Sequence, residues 1–263
     1  MLARAADHLA RCGIETPRLD AELLLGHAVG LTRVELYTGH DRPLVDAELA
    51  GFRELVRRRG RREPLAYILG EWGFRRLTLR VDRRALIPRP ETEMLVERCL
   101  ARLAGLERPN VLDVGVGCGA IALALVDEHP GARVTGVDSS EEALALAGEN
   151  AERTGLEVEL RRAGFEAAEG EWDLVVSNPP YVAPADFAAL QPEIRDWEPR
   201  VALVGEGLHA ELARRVRSGW LVLEVGDGQA PDVAAALRGL AFTEVTISPD
   251  LTGRERVVEG RRT

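Results

Sequence analysis

One short stretch constrains the fold of this 263-residue chain more than any other. Residues 111–114 are an apolar segment with strand character, residues 115–120 read GVGCGA, and a helical pattern follows to about Glu128. Glycines at a strand-to-helix turn let the backbone approach a ligand closely, while the free amides of the helix end point at that ligand. The stretch therefore predicts a strand–turn–helix unit of a parallel sheet, with a ligand site at the carboxyl edge of the sheet.

Apolar strands alternate with helices from Pro88 to the end of the chain. The predicted strands are residues 111–114, 133–137, 158–160, 174–177, 220–225, 242–247 and 256–259. This alternation is typical of a mostly parallel sheet that is covered by helices on both faces. The last two strands have no helix between them, so we expect them to pair antiparallel.

The first 69 residues show helical signals only. A first helix, Leu2–Arg11, ends before a glycine. Thr16 and Pro17 begin a second helix that ends at Gly30, because threonine caps helices and proline suits the first helical position. We predict a small helical bundle over residues 1–69.

Helix-capping residues and a strand pattern define the rest of the N-terminal region. Thr32 and Glu35 form a capping box for a third helix, and Asp46 is expected to cap a fourth helix that ends at Gly60. Residues 77–81 then alternate apolar and polar side chains, which is the spacing of a strand. We predict a β-hairpin linker over residues 70–86 and an α/β domain over residues 87–263.

Composition sets limits on function and location. The net charge is −9, whereas domains that grip phosphate backbones are usually basic, so nucleic acid is an unexpected partner. No apolar run approaches the roughly 18 residues of a membrane span, and the N-terminal residues lack the apolar core of a secretory signal. We expect a cytoplasmic protein without membrane contact.

The cysteines and arginines are less informative. Cys12, Cys99 and Cys118 are far apart and form no CxxC pair, so neither a metal site nor a disulfide framework is expected. The run RRRGRR at residues 57–62 has two interpretations: a solvated helix end whose cations complement the helix dipole, or a contact for an acidic partner or RNA.

The glycine turn predicts a bound nucleoside without saying which one. Asp138 ends the strand after the turn, at the distance where an acid can accept hydrogen bonds from the two hydroxyls of a ribose. Gly115, Gly117 and Ala120 fit the GxGxxG/A pattern of dinucleotide-binding proteins. Gly115, Gly117 and Gly119 equally fit the GxGxG pattern of methyltransferases that use S-adenosylmethionine.

A second motif, Asn178-Pro179-Pro180-Tyr181, follows the strand at residues 174–177. Asn178 therefore falls at the carboxyl edge of the sheet, in the same crevice as the glycine turn. The prolines fix the backbone and donate no hydrogen bonds. The alternative is that this Pro-Pro turn only ends the strand and binds no ligand.

These groups suit the binding of an NH₂ group. The oxygen of Asn178 can accept one hydrogen, a carbonyl of the Pro-Pro segment can accept the other, and the flat ring of Tyr181 can pack on a planar substrate. An amide nitrogen fixed in this way would present its electron pair to a methyl donor. Alignment of reactants can supply roughly 7–11 kcal/mol, and preorganised acceptors stabilise positive charge on the nitrogen.

Together the two motifs resemble class I amino-methyltransferases that depend on S-adenosylmethionine, and further stretches resemble the HemK/PrmC family. The resemblance covers residues from about 20 to the C-terminus, and particular stretches carry it. They are EPLAYILG (63–70), Phe74, IPRPETE (87–93), GVDSS (136–140), Asn150-Ala151, WEPR (197–200), LEVG (223–226), Gln229 and DLTGRER (250–256). The family comprises the glutamine N5-methyltransferases of bacterial peptide-chain release factors.

The resemblance implies a fold, a reaction and a set of site residues. The fold is α/β, a Rossmann-like, mostly parallel seven-stranded sheet with an antiparallel last strand, preceded by an all-α bundle that helps to bind the release factor. The substrate is the glutamine of the Gly-Gly-Gln (GGQ) loop of class I release factors, and the cofactor S-adenosylmethionine becomes S-adenosylhomocysteine. The implied cofactor residues are Gly115, Val116, Gly117, Cys118, Gly119, Asp138, Phe165 and Asn178, and the implied glutamine residues are Asn178, Pro179, Pro180 and Tyr181.

Three positions depart from the family pattern. The family usually has threonine at the position of Val116 and serine or threonine at that of Cys118, so two hydroxyls near the cofactor are missing. An acid often precedes the aromatic residue near the adenine, whereas this chain has Gly164 before Phe165. The implied recognition of adenine then depends more on the backbone and on stacking.

The motifs leave other functions open. A nucleic-acid amino-methyltransferase acting on adenine N6 or cytosine N4 would use the same Asn-Pro-Pro-Tyr turn, but it must extract a base and hold a strand. A non-enzymatic nucleoside-binding protein and an NAD oxidoreductase are further alternatives. The glutamine methyltransferase is the main hypothesis.

Overall fold

The structure is a computed structural model that describes residues 1–39 and 42–263. The chain divides into two compact units, of which the first comprises residues 1–70 and 191–197 and the second comprises residues 71–190 and 198–263. Among the described residues, no helix is both long and apolar enough to cross a membrane.

The first unit is helical. Its helices are α1 (Leu2–Arg11), α2 (Pro17–Val29), α3 (Arg33–Thr38), α4 (Asp46–Gly60), α5 (Leu65–Leu69) and, from the returning segment, α9 (Pro192–Arg195). Leu9, Leu24 and Phe52 are buried at the centre of the packing between α1, α2 and α4. The capping box of Thr32 and Glu35 is present.

The predicted cap of α4 is wrong. The cap position is Val45, and Asp46 is the first residue of the helix. Glu48 accepts a hydrogen bond from the backbone nitrogen of Val45 at 3.1 Å. A glutamate at the third helical position therefore satisfies the helix end from inside, and no capping side chain is needed at Asp46.

The arginine cluster at residues 57–62 mostly forms ion pairs within the first unit. Arg59 is 7% exposed and donates to Asp20 at 2.7 Å and to Glu193 at 2.9 Å. Arg62 donates to Glu193 at 2.5 Å, and Arg58 donates to Glu63 at 2.6 Å. The cluster is therefore not simply a solvated helix end, since its acidic partners include Glu193 of the returning segment.

The second unit contains two sheets. Strands β1 (Glu71–Phe74) and β2 (Leu77–Arg80) form an antiparallel hairpin. The larger sheet has the order β5-β4-β3-β6-β7-β9-β8. Its strands are β3 (Asn110–Val114), β4 (Arg133–Asp138), β5 (Glu159–Arg162), β6 (Leu174–Ser177), β7 (Gly219–Glu224), β8 (Thr243–Pro249) and β9 (Glu255–Arg262), and its helices are α6 (Pro90–Leu103), α7 (Ala120–Glu128), α8 (Glu141–Thr154), α10 (Leu208–Arg215) and α11 (Ala230–Gly239).

The predicted fold class is confirmed. Strands β3 to β7 pair parallel, whereas β9 runs antiparallel to both β7 and β8. Successive residues of β3 point to opposite faces. Val111 belongs to the core on the side of α6, α7 and α8, and Leu112 belongs to the core on the side of α10 and α11. Burial on both faces explains why the strands read as continuous apolar runs.

Strand order creates the crevice of the site. From β3 the chain proceeds to β4 and β5 on one side, and β6 then pairs with the other side of β3. In open α/β sheets, ligands bind where the strand order reverses, beyond the carboxyl ends of the strands. That place lies between β3 and β6, which end in Val114 and Ser177.

Candidate active site

The predicted motifs meet at the carboxyl ends of β3, β4 and β6. Val114 is paired with both Val137 and Ser177, so the turns that follow these residues are neighbours. The hydroxyl of Ser177 donates to the carbonyl oxygen of Val114 at 2.6 Å, which fastens the two strand ends together. A cavity of about 430 Å³ opens beyond them, lined in part by residues 83–89, 114–118, 138–140, 163–165, Asn178 and Pro180.

The glycine turn is held by backbone hydrogen bonds. The amides of Gly115 and Val116 both donate to the carbonyl of Val137, at 2.8 and 2.9 Å. Gly115 and Gly117 have φ angles of +79° and +55°, which favour glycine. A side chain on Gly115 would meet nothing within 4 Å, so the backbone there is open to a ligand.

Asp138 connects the end of β4 with the glycine turn. One oxygen of its carboxylate accepts from the amide of Gly117 at 3.0 Å, and the other accepts from the amide of Ser140 at 2.9 Å. Each carboxylate oxygen has a second acceptor position. Because Asp138 also lines the cavity, its carboxylate can accept the hydroxyls of a ribose while it still holds the turn.

The side chains of Val116 and Cys118 belong to the core behind the cavity. They are 5% and 3% exposed, and both lie in the core cluster. A side chain on Gly136 would approach Val116 to 2.7 Å, so the missing side chain makes room for valine. Burial raises the pKa of the Cys118 thiol to about 12. It therefore stays protonated and is a poor nucleophile.

The loop after β5 contributes an aromatic side chain to the wall of the cavity. Phe165 and Gly164 both line the cavity. The amide of Gly164 donates to the carboxylate of Glu166 at 2.7 Å, and this bond lowers the pKa of Glu166. The family pattern often has an acid before the aromatic residue, whereas here the acid, Glu166, follows Phe165. Its carboxylate fixes the loop through the amide of Gly164.

The Asn-Pro-Pro-Tyr turn is fixed from several sides. Asn178 and Pro180 line the cavity, and the Asn178 amide nitrogen donates to the Thr92 hydroxyl at 3.3 Å. The Tyr181 hydroxyl donates to Glu224 at 3.3 Å, and the Tyr181 carbonyl accepts from Gln229 at 3.0 Å.

Three of the predicted site residues lie outside this lining. Gly119 caps α7, with a φ of +89°. Pro179 is buried, and the ring of Tyr181 is stacked with that of His209, their centroids 6.4 Å apart. Tyr181 therefore braces the turn, and its ring does not form the cavity wall.

Two buried carboxyl groups have raised pKa values. Burial raises the pKa of Asp113, which lies on β3 beneath the glycine turn, to about 7. Its carboxylate accepts from the amide of Ala122 at 3.1 Å. Burial also raises the pKa of Glu224, against the opposing effects of the Thr92 hydrogen bond and the Arg256 charge.

Sequence reasoning assigned no role to Thr92, Glu198 or Glu224. Glu198 is 5% exposed and accepts from the amide of Ile87 at 3.0 Å and from the guanidinium of Arg89. It thereby fixes the wall at residues 87–89. All three residues occur within the stretches that resemble the family, which is the only signal that could have indicated them.

Comparison with known proteins identifies the family. Residues 1–70 match the family model for the PrmC N-terminal domain, and residues 90–194 match that for the methyltransferase small domain. A release factor glutamine methyltransferase of Geobacter sulfurreducens is 44% identical, covering 97% of this chain and 93% of its relative. One of Deinococcus radiodurans is also 44% identical, covering 100% and 97% of the two chains.

A solved structure supports the fold alone. The 16S rRNA methyltransferase of T. thermophilus, in complex with AdoMet and guanosine, is 20% identical, with a TM-score of 0.52. The likeness covers 73% of this chain and 50% of that chain. The sequence relatives decide the family: the chain belongs to the release factor glutamine methyltransferases.

Proposed function

We propose that the chain transfers a methyl group from S-adenosylmethionine to the side-chain amide nitrogen of a glutamine, the one in the GGQ motif of class I peptide chain release factors. The observation that carries this proposal is the place of Asn178. Its carboxamide lies at the end of β6, in the cavity that the glycine turn also lines. A group that can hold an NH₂ is therefore next to a site that suits a nucleoside.

The residues of the cavity fit the cofactor. The open backbone at Gly115 admits the methionine part, Asp138 can accept the ribose hydroxyls, and Phe165 offers a face to the adenine ring. Val116 and Cys118 contribute backbone, because their side chains are buried behind the turn. When bound, S-adenosylmethionine supplies an electrophilic methyl group.

The turn offers two acceptors for the two hydrogens of the substrate amide. The first is the side-chain oxygen of Asn178. Two backbone carbonyls of the turn are less suited to be the second acceptor. The carbonyl of Tyr181 already accepts a hydrogen bond from Gln229. The carbonyl of Pro180 faces Gly205 so closely that a Cβ atom on Gly205 would lie 2.6 Å from it. We assign the second acceptor to the carbonyl of Pro179. Its ring is buried outside the cavity lining, but its backbone joins Asn178 to Pro180, and both of these residues line the cavity.

These acceptors perform the catalysis that a poor nucleophile needs. They hold the nitrogen so that its electron pair faces the methyl donor, and alignment of this kind can contribute roughly 7–11 kcal/mol. They also stabilise the positive charge that develops on the nitrogen. The buried, protonated Cys118 takes no part in the chemistry.

The helical unit is the part that we assign to binding the release factor, because residues 1–70 match the PrmC N-terminal domain. A cytoplasmic location follows from the proposed substrate, since translation termination takes place there.

Methyl transfer to the intact factor tests the proposal. The chain is incubated with methyl-labelled S-adenosylmethionine and an unmodified class I release factor. A parallel sample contains the same factor with its GGQ glutamine changed to alanine. We expect label in the first sample only, whereas equal label in both would refute the assignment of the glutamine.

A further inference from the structure

Two buried side chains form a hydrogen-bonded path behind Asn178. The Thr92 hydroxyl donates to a carboxylate oxygen of Glu224 at 2.7 Å. The amide nitrogen of Asn178 donates to the same hydroxyl oxygen at 3.3 Å. Thr92 is 4% exposed and Glu224 is 1% exposed, so water competes little for these bonds.

The path has a fixed direction. A carboxylate can only accept hydrogen bonds, and a hydroxyl carries one hydrogen. Because Thr92 gives its hydrogen to Glu224, the Thr92 oxygen is left to accept. Asn178 must therefore present its NH₂ end to Thr92, and the other end of the carboxamide, the oxygen, is directed away from it.

The other partners of Glu224 preserve this direction. Its second oxygen accepts from the Tyr181 hydroxyl at 3.3 Å. Burial raises the pKa of Glu224, and the hydrogen bonds from Thr92 and Tyr181 and the charge of Arg256 oppose this rise by stabilising the carboxylate. The carboxylate thus receives donors on both oxygens, one from α6 and one from the Asn-Pro-Pro-Tyr turn.

The direction matters for a substrate that brings an NH₂ group. With its oxygen in the cavity, Asn178 can accept a hydrogen from the substrate nitrogen. A carboxamide turned by 180° would present its own hydrogens to those of the substrate, and two donors facing each other repel. A lone carboxamide has no strong preference between these two arrangements, so something else must select one.

We propose that Thr92 and Glu224 are positioning residues that select the arrangement of the Asn178 carboxamide in which its oxygen faces the substrate amide. This inference rests on the proposed function, since it concerns how Asn178 meets the glutamine. Thr92 and Glu224 act through Asn178 and exchange no proton with the substrate.

Two substitutions at Thr92 test the hydroxyl separately from the shape of the side chain. Thr92→Val keeps the shape and removes the hydroxyl, while Thr92→Ser keeps the hydroxyl. We expect kcat of Thr92→Val with the release factor to fall about tenfold, the usual cost of one lost charge-assisted hydrogen bond. Thr92→Ser should restore kcat to within about threefold of the unsubstituted chain.

Affinity for S-adenosylmethionine, measured by calorimetry, should stay within a few fold in both variants, because the hydroxyl of Thr92 is bonded to Asn178 and Glu224. Comparable losses of kcat in Thr92→Val and Thr92→Ser would overturn the proposal, as would a kcat for Thr92→Val near that of the unsubstituted chain. A parallel loss of cofactor affinity would show a general disturbance of the site and would also count against it.

Glu224→Gln provides an independent test. An amide at this position can donate a hydrogen bond to the oxygen of Thr92. The Thr92 hydroxyl is then free to donate to Asn178, so the hydrogen bonds no longer select one arrangement of the Asn178 carboxamide. If both residues act through one path, the double variant Thr92→Val/Glu224→Gln should be little worse than either single variant. Additive losses would contradict the path. The unsubstituted chain separates the two proposals: if it fails to label the factor, the proposed function itself is wrong.

Discussion

Asn178 has its backbone and its side chain fixed by different parts of the same unit. Pro179 restricts its backbone, and the strand before it is fastened to β3 by the hydroxyl of Ser177. Thr92 holds the nitrogen of its side chain. A side chain fixed in this way needs little reorganisation when charge develops on a neighbouring atom, which is the condition for electrostatic stabilisation of a transition state.

The first prediction concerns the removal of this carboxamide. In Asn178→Ala we expect kcat to fall by about a hundredfold or more, since mutation of one preorganised polar group in other enzymes costs that much. Binding of S-adenosylmethionine, measured by calorimetry, should stay within a few fold. Asp138→Ala is the reciprocal control, because it should weaken cofactor binding instead. Near-normal turnover by Asn178→Ala would contradict the assigned role.

Sequence reasoning at this scale succeeds for local patterns and fails for distant partners. The glycine turn and the Asn-Pro-Pro-Tyr turn are each contiguous, so their spacing carries a physical meaning. Thr92 lies 86 residues from Asn178 and 132 from Glu224. No periodicity relates such positions, and only the folded sheet shows that the three side chains meet.

At the scale of elements, α2 and α3 are joined through one buried carboxylate. Glu22 on α2 accepts from the Tyr37 hydroxyl at 2.7 Å and from Arg33 at 2.9 Å, both on α3. Arg18, one turn earlier on α2, donates to it at 2.5 Å. The bonds from Tyr37 and Arg18 lower the pKa of Glu22 to about 2.

This carboxylate predicts a pH-dependent difference in stability. The folded state favours the ionised form, so the stabilisation is full above pH 4.5 and is lost as the pH falls toward 2. Glu22→Gln should lower the free energy of unfolding by about 1–2 kcal/mol at neutral pH. The deficit should shrink on acidification, because the unsubstituted chain then loses the same bonds.

Urea unfolding followed by circular dichroism at neutral and acidic pH measures this effect. Glu54→Gln is the matched control, since Glu54 pairs with Arg57 on the surface and such pairs contribute at most about 1 kcal/mol. If the loss of unfolding free energy in Glu22→Gln is the same at both pH values, the lowered pKa of Glu22 does not contribute to stability.

Elements were predictable where the pattern of side chains matched the burial. The strands β3 and β6 are buried on both faces and read as apolar runs. The edge strand β5 (Glu159–Arg162) has a largely polar sequence, so its predicted position, residues 158–160, differs by one to two residues at its ends. At an edge, pairing with β4 defines the strand, and a hydrophobic pattern alone does not reveal that pairing.

At the scale of the whole molecule, charge argues against a nucleic-acid substrate. The net charge of −9 repels phosphates. The most basic run of the chain is largely occupied, because Arg58, Arg59 and Arg62 pair with acids of the first unit. A chain that must extract a base from a strand needs free cations along a groove, and this run supplies few.

The last prediction follows from that charge distribution. Duplex and single-stranded DNA that contain adenine and cytosine, offered with methyl-labelled S-adenosylmethionine, should receive no label under conditions in which the release factor is labelled. Binding of the same DNA, measured by fluorescence anisotropy at low salt, should not saturate. The nucleic-acid alternative predicts label on the DNA. It also predicts an affinity whose logarithm falls with the logarithm of salt concentration, by about 0.9 for each phosphate contacted on duplex DNA and by about 0.7 on single strands. That result would mean that the Asn-Pro-Pro-Tyr turn binds the exocyclic amine of a base and not the amide of a glutamine. Both groups present the same two hydrogens to Asn178, so the turn could hold either one.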